Sequence, residues 1–201
     1  MRAGIIQSQF LHSNLKITEK NPVFILQYLF NRIEIETLKS SSPLSPCIGT
    51  LLQEYNCLDC GLHQEFFTKF TYLNLICKTT LNKSYEEFIC KKVEKGFCPN
   101  CKEERDMDVQ KTLETFPEFL VVCLNYNKCN DRFEGMRVRG TWKLLKTFKL
   151  VAALCKEAQS FFCYARRGKN WFRYHDERCI KMLKSPKGSM SPYVLLYKKS
   201  Q

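Results

Sequence analysis

The sequence predicts an α+β protein in which a short helical start leads into a four-cysteine metal ribbon and then into an antiparallel sheet. Three observations predict it. One stretch near the start has helical apolar spacing, two Cys-x-x-Cys pairs lie far apart in the middle, and beyond Pro117 the apolar runs have strand length and strand composition. With 201 residues, 44% hydrophobic and 13% aromatic, the chain can bury one sizeable core.

Residues 22–37 read as an amphipathic helix. Asn21 can cap it, Pro22 suits its first turn, and Ile25, Leu26, Leu29, Phe30 and Ile33 fall on one face. The run from Lys39 to Pro46 is rich in serine and proline, which disfavour helix and central strand, so a connector is expected there. From Ile48 to Leu75 two extended segments flank the first cysteine pair, and the second of them, Glu65 to Leu75, is rich in Phe, Tyr and Thr. Ser84 followed by Glu87 matches a capping box and predicts a short helix from Tyr85 to about Val93. Strands are predicted at Phe119 to Leu124, Phe148 to Leu154, Ser160 to Ala165, Asn170 to Tyr174 and Tyr193 to Tyr197.

Composition narrows the function classes. The longest apolar run, Pro22 to Phe30, is far short of the ~20 residues a membrane helix needs, and the start lacks the long apolar core of a signal peptide. The expectation is a protein of cytoplasm or nucleus with no membrane partner. A net charge of +12 is compatible with a nucleic-acid partner, but the basic residues are dispersed, with short clusters only at Arg166-Arg167-Gly168-Lys169 and Lys198-Lys199. A solvated basic surface is the simpler reading.

Two residues between cysteines let both thiolates reach one ion from a tight turn, and two such turns complete a tetrahedral four-sulfur site. Cys57, Cys60, Cys98 and Cys101 are therefore expected to hold one zinc ion. Gly61 after the first pair and Pro99 within the second suit the turns. Four sulfurs leave no open coordination position, so the zinc is structural. The eight other cysteines lack paired spacing and read as ordinary thiols.

Taken in order, these pieces resemble the ubiquitin-specific proteases from about Asn21 to Lys199. Asn21-Pro22-Val23-Phe24-Ile25-Leu26 sits where that family has its Gln-Asp-Ala-x-Glu-Phe-Leu helix, and Tyr55 to Gly61 is similar to its first zinc knuckle. Ser84 to Phe88 resembles the helix between the knuckles, and Phe116 to Leu124 the Leu-Pro-x-x-Leu strand after them. Phe162 to Arg166, Trp171 to Asp176 and Pro192 to Tyr197 resemble the histidine box, the Trp-x-x-Phe-Asp-Asp segment and the last palm strand. The resemblance implies a papain-like palm with a zinc-ribbon fingers sub-domain and a reduced thumb. Residues 1–46 would be the thumb remnant and linker, 47–116 the fingers, and 117–201 the palm.

That family cleaves isopeptide bonds with a cysteine nucleophile, a histidine base and an acid that orients the histidine. Residues 1–21 contain no cysteine where the nucleophile segment would lie. Alignment on Tyr164 puts Ser160 at the base, after Gln159 in place of a glycine, and counting from Trp171 puts His175 at the orienting acid with Asp176 beside it. A serine hydroxyl cannot take up a proton near neutral pH as imidazole does. The resemblance also weakens between Leu124 and Phe148, where Asn125-Tyr126-Asn127 replaces a basic-aromatic strand end. His12 and His63 are the only other histidines, and Cys163, three residues along the strand from Ser160, falls on its opposite face. Trp171 and Tyr174 read as packing residues.

Three functions compete at this point. The first is a non-catalytic family member that binds ubiquitin, a ubiquitin-like modifier or a scaffold partner, the last covering the apolar face of the 22–37 helix. The second is an active cysteine deubiquitinase whose nucleophile segment lies before Met1. The third is a basic zinc-ribbon protein that binds nucleic acid.

Overall fold

The computed structural model describes residues 22–36, 43–126, 136–137, 148–157, 160–182 and 189–200. The expectations for residues 1–21, for the connector before Pro43, for Gln159 and for the segment around Asn127 lie outside these residues.

Helix α1 (Pro22–Glu36) opens the described chain, and a single 3-10 turn at Ser45–Cys47 leads into strand β1 (Gly49–Cys57). Strand β2 (His63–Phe70) folds back on β1 as an antiparallel hairpin across the first cysteine pair. The stretch from Glu65 to Leu75 is not one strand. A bend at Thr71 and Tyr72 separates β2 from β3 (Leu73–Ile76), and the two join different sheets.

Helix α2 spans Leu81–Ile89, which corrects the expected start at Tyr85 and end near Val93. Its cap is Thr80, whose Oγ1 accepts from the Lys83 amide at 3.2 Å. Ser84 lies inside the helix, fully buried, accepting from the Lys78 amide at 3.0 Å and donating to the Thr80 carbonyl at 3.3 Å. Thr80 wins because only a helix starting there lets Leu81 and Tyr85, four residues apart, both enter the core. Val93 then falls in β4 (Lys92–Cys98), which pairs antiparallel with β5 (Glu103–Thr115).

Two sheets result. The first has the order β2-β1-β5-β4. The second contains β3, then β6 (Phe119–Asn125), β8 (Phe148–Glu157), β9 (Ser160–Arg167), β10 (Asn170–His175), β11 (Arg178–Met182) and β12 (Ser189–Lys199), in the order β11-β10-β9-β8-β12-β6-β3. The short β7 (Met136–Arg137) pairs with β12. The sheet is antiparallel except at its edge, where β3 runs parallel to β6. Because β3 belongs to this sheet, a single cut at residue 116 does not separate the two sheets.

The main core lies on the face of the large sheet that carries Leu120, Val122, Leu124, Ala153, Cys155, Phe162 and Leu195, closed by Leu73, Leu75, Leu81, Tyr85 and Trp171. A second, much smaller core gathers Cys57, Cys98, Met107 and Val109 at the cysteine end of the four-stranded sheet. No described helix is long and apolar enough to cross a membrane.

Candidate metal centre

Each cysteine pair closes a strand end with the same backbone turn. In the first, the Cys57 amide donates to the Leu62 carbonyl and the Gly61 amide to the Cys57 carbonyl, both at 2.9 Å. In the second, the Lys102 amide donates to the Cys98 carbonyl at 2.8 Å. The residue four past the first cysteine must turn with positive φ in both, and Gly61 (71°) and Lys102 (61°) occupy those places. Glycine does this freely, whereas a side chain there costs about 1 kcal/mol. Pro99 helps shape the second turn, but the strained residue is Lys102.

The two turns are brought together by β1 and β5, which pair in register from Cys57 opposite Met107, and by β5 with β4, which pair down to Cys98 opposite Glu103. As a result the Sγ atoms of Cys57, Cys60, Cys98 and Cys101 all lie within 4.8 Å of one another, with Cys60 and Cys98 at 3.5 Å. Sulfurs bound tetrahedrally to zinc at 2.3 Å stand about 3.8 Å apart, so the donor set fits that ion. Cys57 and Cys98 are buried and the described cysteines are all free thiols.

The electrostatics also call for a cation. A hydrogen bond from Asn100, with help from the Leu62 backbone, lowers the Cys60 thiol to about 6. Cys101, hydrogen-bonded to Cys60 and packed against the remaining sulfurs, is pushed up to about 12. Without a metal the cluster holds one thiolate readily and resists the next; a divalent ion removes that resistance. Arg105 lies against this end of the sheet, its Nε 3.0 Å from Asp59 and its guanidinium also paired with Glu103. Asn100, Lys102 and Arg105 were not singled out by the sequence reading. The position of Lys102 could have been found by laying the second pair over the first, which matches it to Gly61.

His63 is exposed and apart from the four sulfurs. Its Nδ1 faces Asn56 Oδ1 at 2.8 Å and its Nε2 faces Glu65 Oε1 at 3.1 Å.

The residues aligned with the family's base and acid sit at one end of the large sheet. Ser160 begins β9, exposed, and His175 ends β10, its Nε2 3.9 Å from Asp176. The β9–β10 register, Tyr164 opposite Arg173 and Cys163 opposite Tyr174, puts Ser160 and His175 on the same face by alternation and Cys163 on the other. The Cys163 sulfur donates to the Tyr164 carbonyl, and burial pushes its thiol up, the opposite of an activated nucleophile. Trp171 is buried in the core, and Tyr174 lies under the Arg167 guanidinium at 5.4 Å.

No known family model matches the sequence, and no curated protein does. Solved structures do match. The chain superposes on a chain of the Ubp8-Sgf11-Sgf73-Sus1 SAGA DUB module with a TM-score of 0.74 at 16% identity, covering 92% of this chain and 50% of that one. A structure of the yeast SAGA DUB module gives 0.72 at 15%, covering 89% and 50%. The SAGA DUB module bound to ubiquitin aldehyde gives 0.63 at 16%, covering 89% and 49%. At such identities the likeness is one of fold, and the chain spans about half the length of the chains it matches.

Proposed function

We propose that this chain is a non-catalytic relative of the ubiquitin-specific proteases that binds ubiquitin or a ubiquitin-like modifier without cleaving it. The fold likeness supports the kinship, since the matched structures are deubiquitinase modules and one of them holds ubiquitin aldehyde. In this reading residues 1–46 are a thumb remnant, 47–116 hold the zinc-braced fingers together with β3, which joins the palm sheet, and 117–201 supply the rest of the palm; the protein works in the nucleus or cytoplasm.

One observation carries the non-catalytic half. At the ends of β9 and β10, where the resemblance puts a general base and the acid that orients it, stand Ser160 and His175. Proton transfer from a thiol needs an acceptor that titrates near the working pH, and a hydroxyl does not. His175 is presented to Asp176 beside it, and the hydrogen bonds of His63 run to Asn56 and Glu65.

Two measurements test this. Titration with ubiquitin and with ubiquitin-like modifiers, followed by calorimetry or NMR, should show saturable binding of at least one. Incubation with a fluorogenic ubiquitin C-terminal substrate should give no turnover. Turnover abolished by a thiol alkylator would refute the non-catalytic assignment, and absence of binding to every modifier would refute the rest.

A further inference from the structure

Four strands end the two sheets, β2 and β4 the smaller one and β3 and β11 the larger. Strand β2 forms the outer edge of the four-stranded sheet, and among the described residues it pairs on one side only, with β1. Nearly all of it is exposed, including Phe66 at 50% and Phe67 at 62%. A long exposed edge carrying large apolar side chains recruits another strand unless charge, proline or a bulge prevents it. Its eight residues contain no proline, its pairing with β1 is regular throughout, and its two charged residues, Glu65 and Lys69, are of opposite sign and so do not repel a second copy in the antiparallel register.

We propose that β2 is the contact by which two copies of this chain associate, running antiparallel about a two-fold axis through Phe67. The residue order dictates this register. With Phe67 opposite Phe67 of the second copy, Glu65 falls opposite Lys69, Phe66 opposite Thr68 and Gln64 opposite Phe70. Both charged pairs are then of opposite sign and share the face that holds the two Phe67 rings, because Glu65, Phe67 and Lys69 alternate onto the same side. Phe66 points to the other face, where its ring meets Tyr55 edge-on at 5.5 Å.

The other edges lack this symmetry. On β4 the equivalent axis passes through Lys95 and sets two ammonium groups face to face. On β11 it passes through Ile180 and sets Arg178 opposite Met182 and Lys181 opposite Cys179, so neither cation meets an acid. Strand β3 has four residues, with Leu73 and Leu75 in the core. Closure about a two-fold axis makes a dimer and stops there.

Sedimentation equilibrium of the whole zinc-loaded chain, up to about 200 µM, tests the proposal. The wild type should show a reversible monomer-dimer equilibrium, and concentration-dependent amide protection should appear in β2. Lys69→Glu puts glutamates opposite each other twice and should weaken the dimer about tenfold or more, while Glu65→Lys with Lys69→Glu restores opposite pairs and should return it to within about threefold of wild type. Both residues are exposed, and circular dichroism with zinc content checks that each variant is folded. A chain monomeric throughout, a dimer indifferent to Lys69→Glu, or a double variant as weak as the single one overturns the proposal.

Discussion

Removing the metal should unfold the cysteine end of the four-stranded sheet and leave the large sheet standing. The small core there contains two buried apolar side chains besides cysteines, Met107 and Val109. Burying each contributes about 1.5–3 kcal/mol, roughly 3–6 together. Ordering the two turns, residues 57–62 and 98–102, about eleven in all, opposes this with about 1–2 kcal/mol per residue of backbone entropy. The deficit is on the order of 10 kcal/mol, which matches the apparent 10–16 kcal/mol that four-ligand zinc sites supply. The large sheet has no such debt, since its core joins strands, α2 and Trp171 without any of the four metal-site cysteines. The assay is hydrogen exchange with and without a chelator, beside elemental analysis. One zinc per chain is expected, and chelation should strip protection from residues 57–62 and 92–109 while β6, β8 and β12 keep theirs. If protection around Cys57 and Cys98 is the same in zinc-free protein, or if no zinc is found, the reasoning fails.

The remaining predictions concern single groups. Ser84→Ala removes the acceptor for the Lys78 amide inside the core and should cost about 1–3 kcal/mol in urea unfolding. At Gly49 an added methyl would run into the Phe70 ring and meet the Thr115 carbonyl at 2.8 Å, so Gly49→Ala should destabilise by about 1–3 kcal/mol in the same assay. Lys102→Gly relieves the positive φ and should raise zinc-loaded stability by up to about 1 kcal/mol. Zinc affinity should fall as pH falls, because thiols must lose protons to bind. Cys101, held near 12, surrenders one proton throughout the neutral range, and Cys60 adds a second below about 6. Chelator competition should therefore show at least about a tenfold loss per pH unit between pH 8 and 6, and a flat profile would count against thiolate ligation.

How much of this was legible beforehand depended on whether a signal was local. Strands β6, β8, β9, β10 and β12 announce themselves through apolar runs, and α1 through helical spacing. Strand β5, the longest among the described residues, was missed because Glu103 to Thr115 alternates weakly and carries many charges. It is held by β1 and β4 on either side, a tertiary reason that no window of sequence contains. Strand β11 was missed likewise, an exposed edge whose single large exposed apolar residue is Ile180. The misread start of α2 came from treating Ser84 as a cap when its hydroxyl serves the Lys78 amide from inside the helix. Cysteine spacing signalled a pair of turns, whereas the approach of the sulfurs to within 4.8 Å required the register of three strands.

The alignment that puts Ser160 and His175 at the family's base and acid can be tested apart from any activity. One step beyond the pair Cys163–Tyr174, the same register sets His175 opposite Phe162, so Ser160 is its diagonal neighbour on the same face. Diagonal neighbours have Cβ atoms about 7–8 Å apart, within reach of an imidazole and a carboxylate. Ser160→His with His175→Asp should therefore bring the two groups into contact. A carboxylate beside an imidazole favours its charged form, so the histidine introduced at 160 should titrate about 0.5–1 unit higher than in the control carrying Ser160→His with His175→Asn, where the amide has the same shape and no charge. Asp176 is present in both variants and cancels. NMR titration of the ring protons reads the difference directly. Equal midpoints would mean that the two strand ends do not converge as a base and its orienting acid must, and the correspondence with the protease would then have to be abandoned at these two positions, however well the zinc ribbon matches.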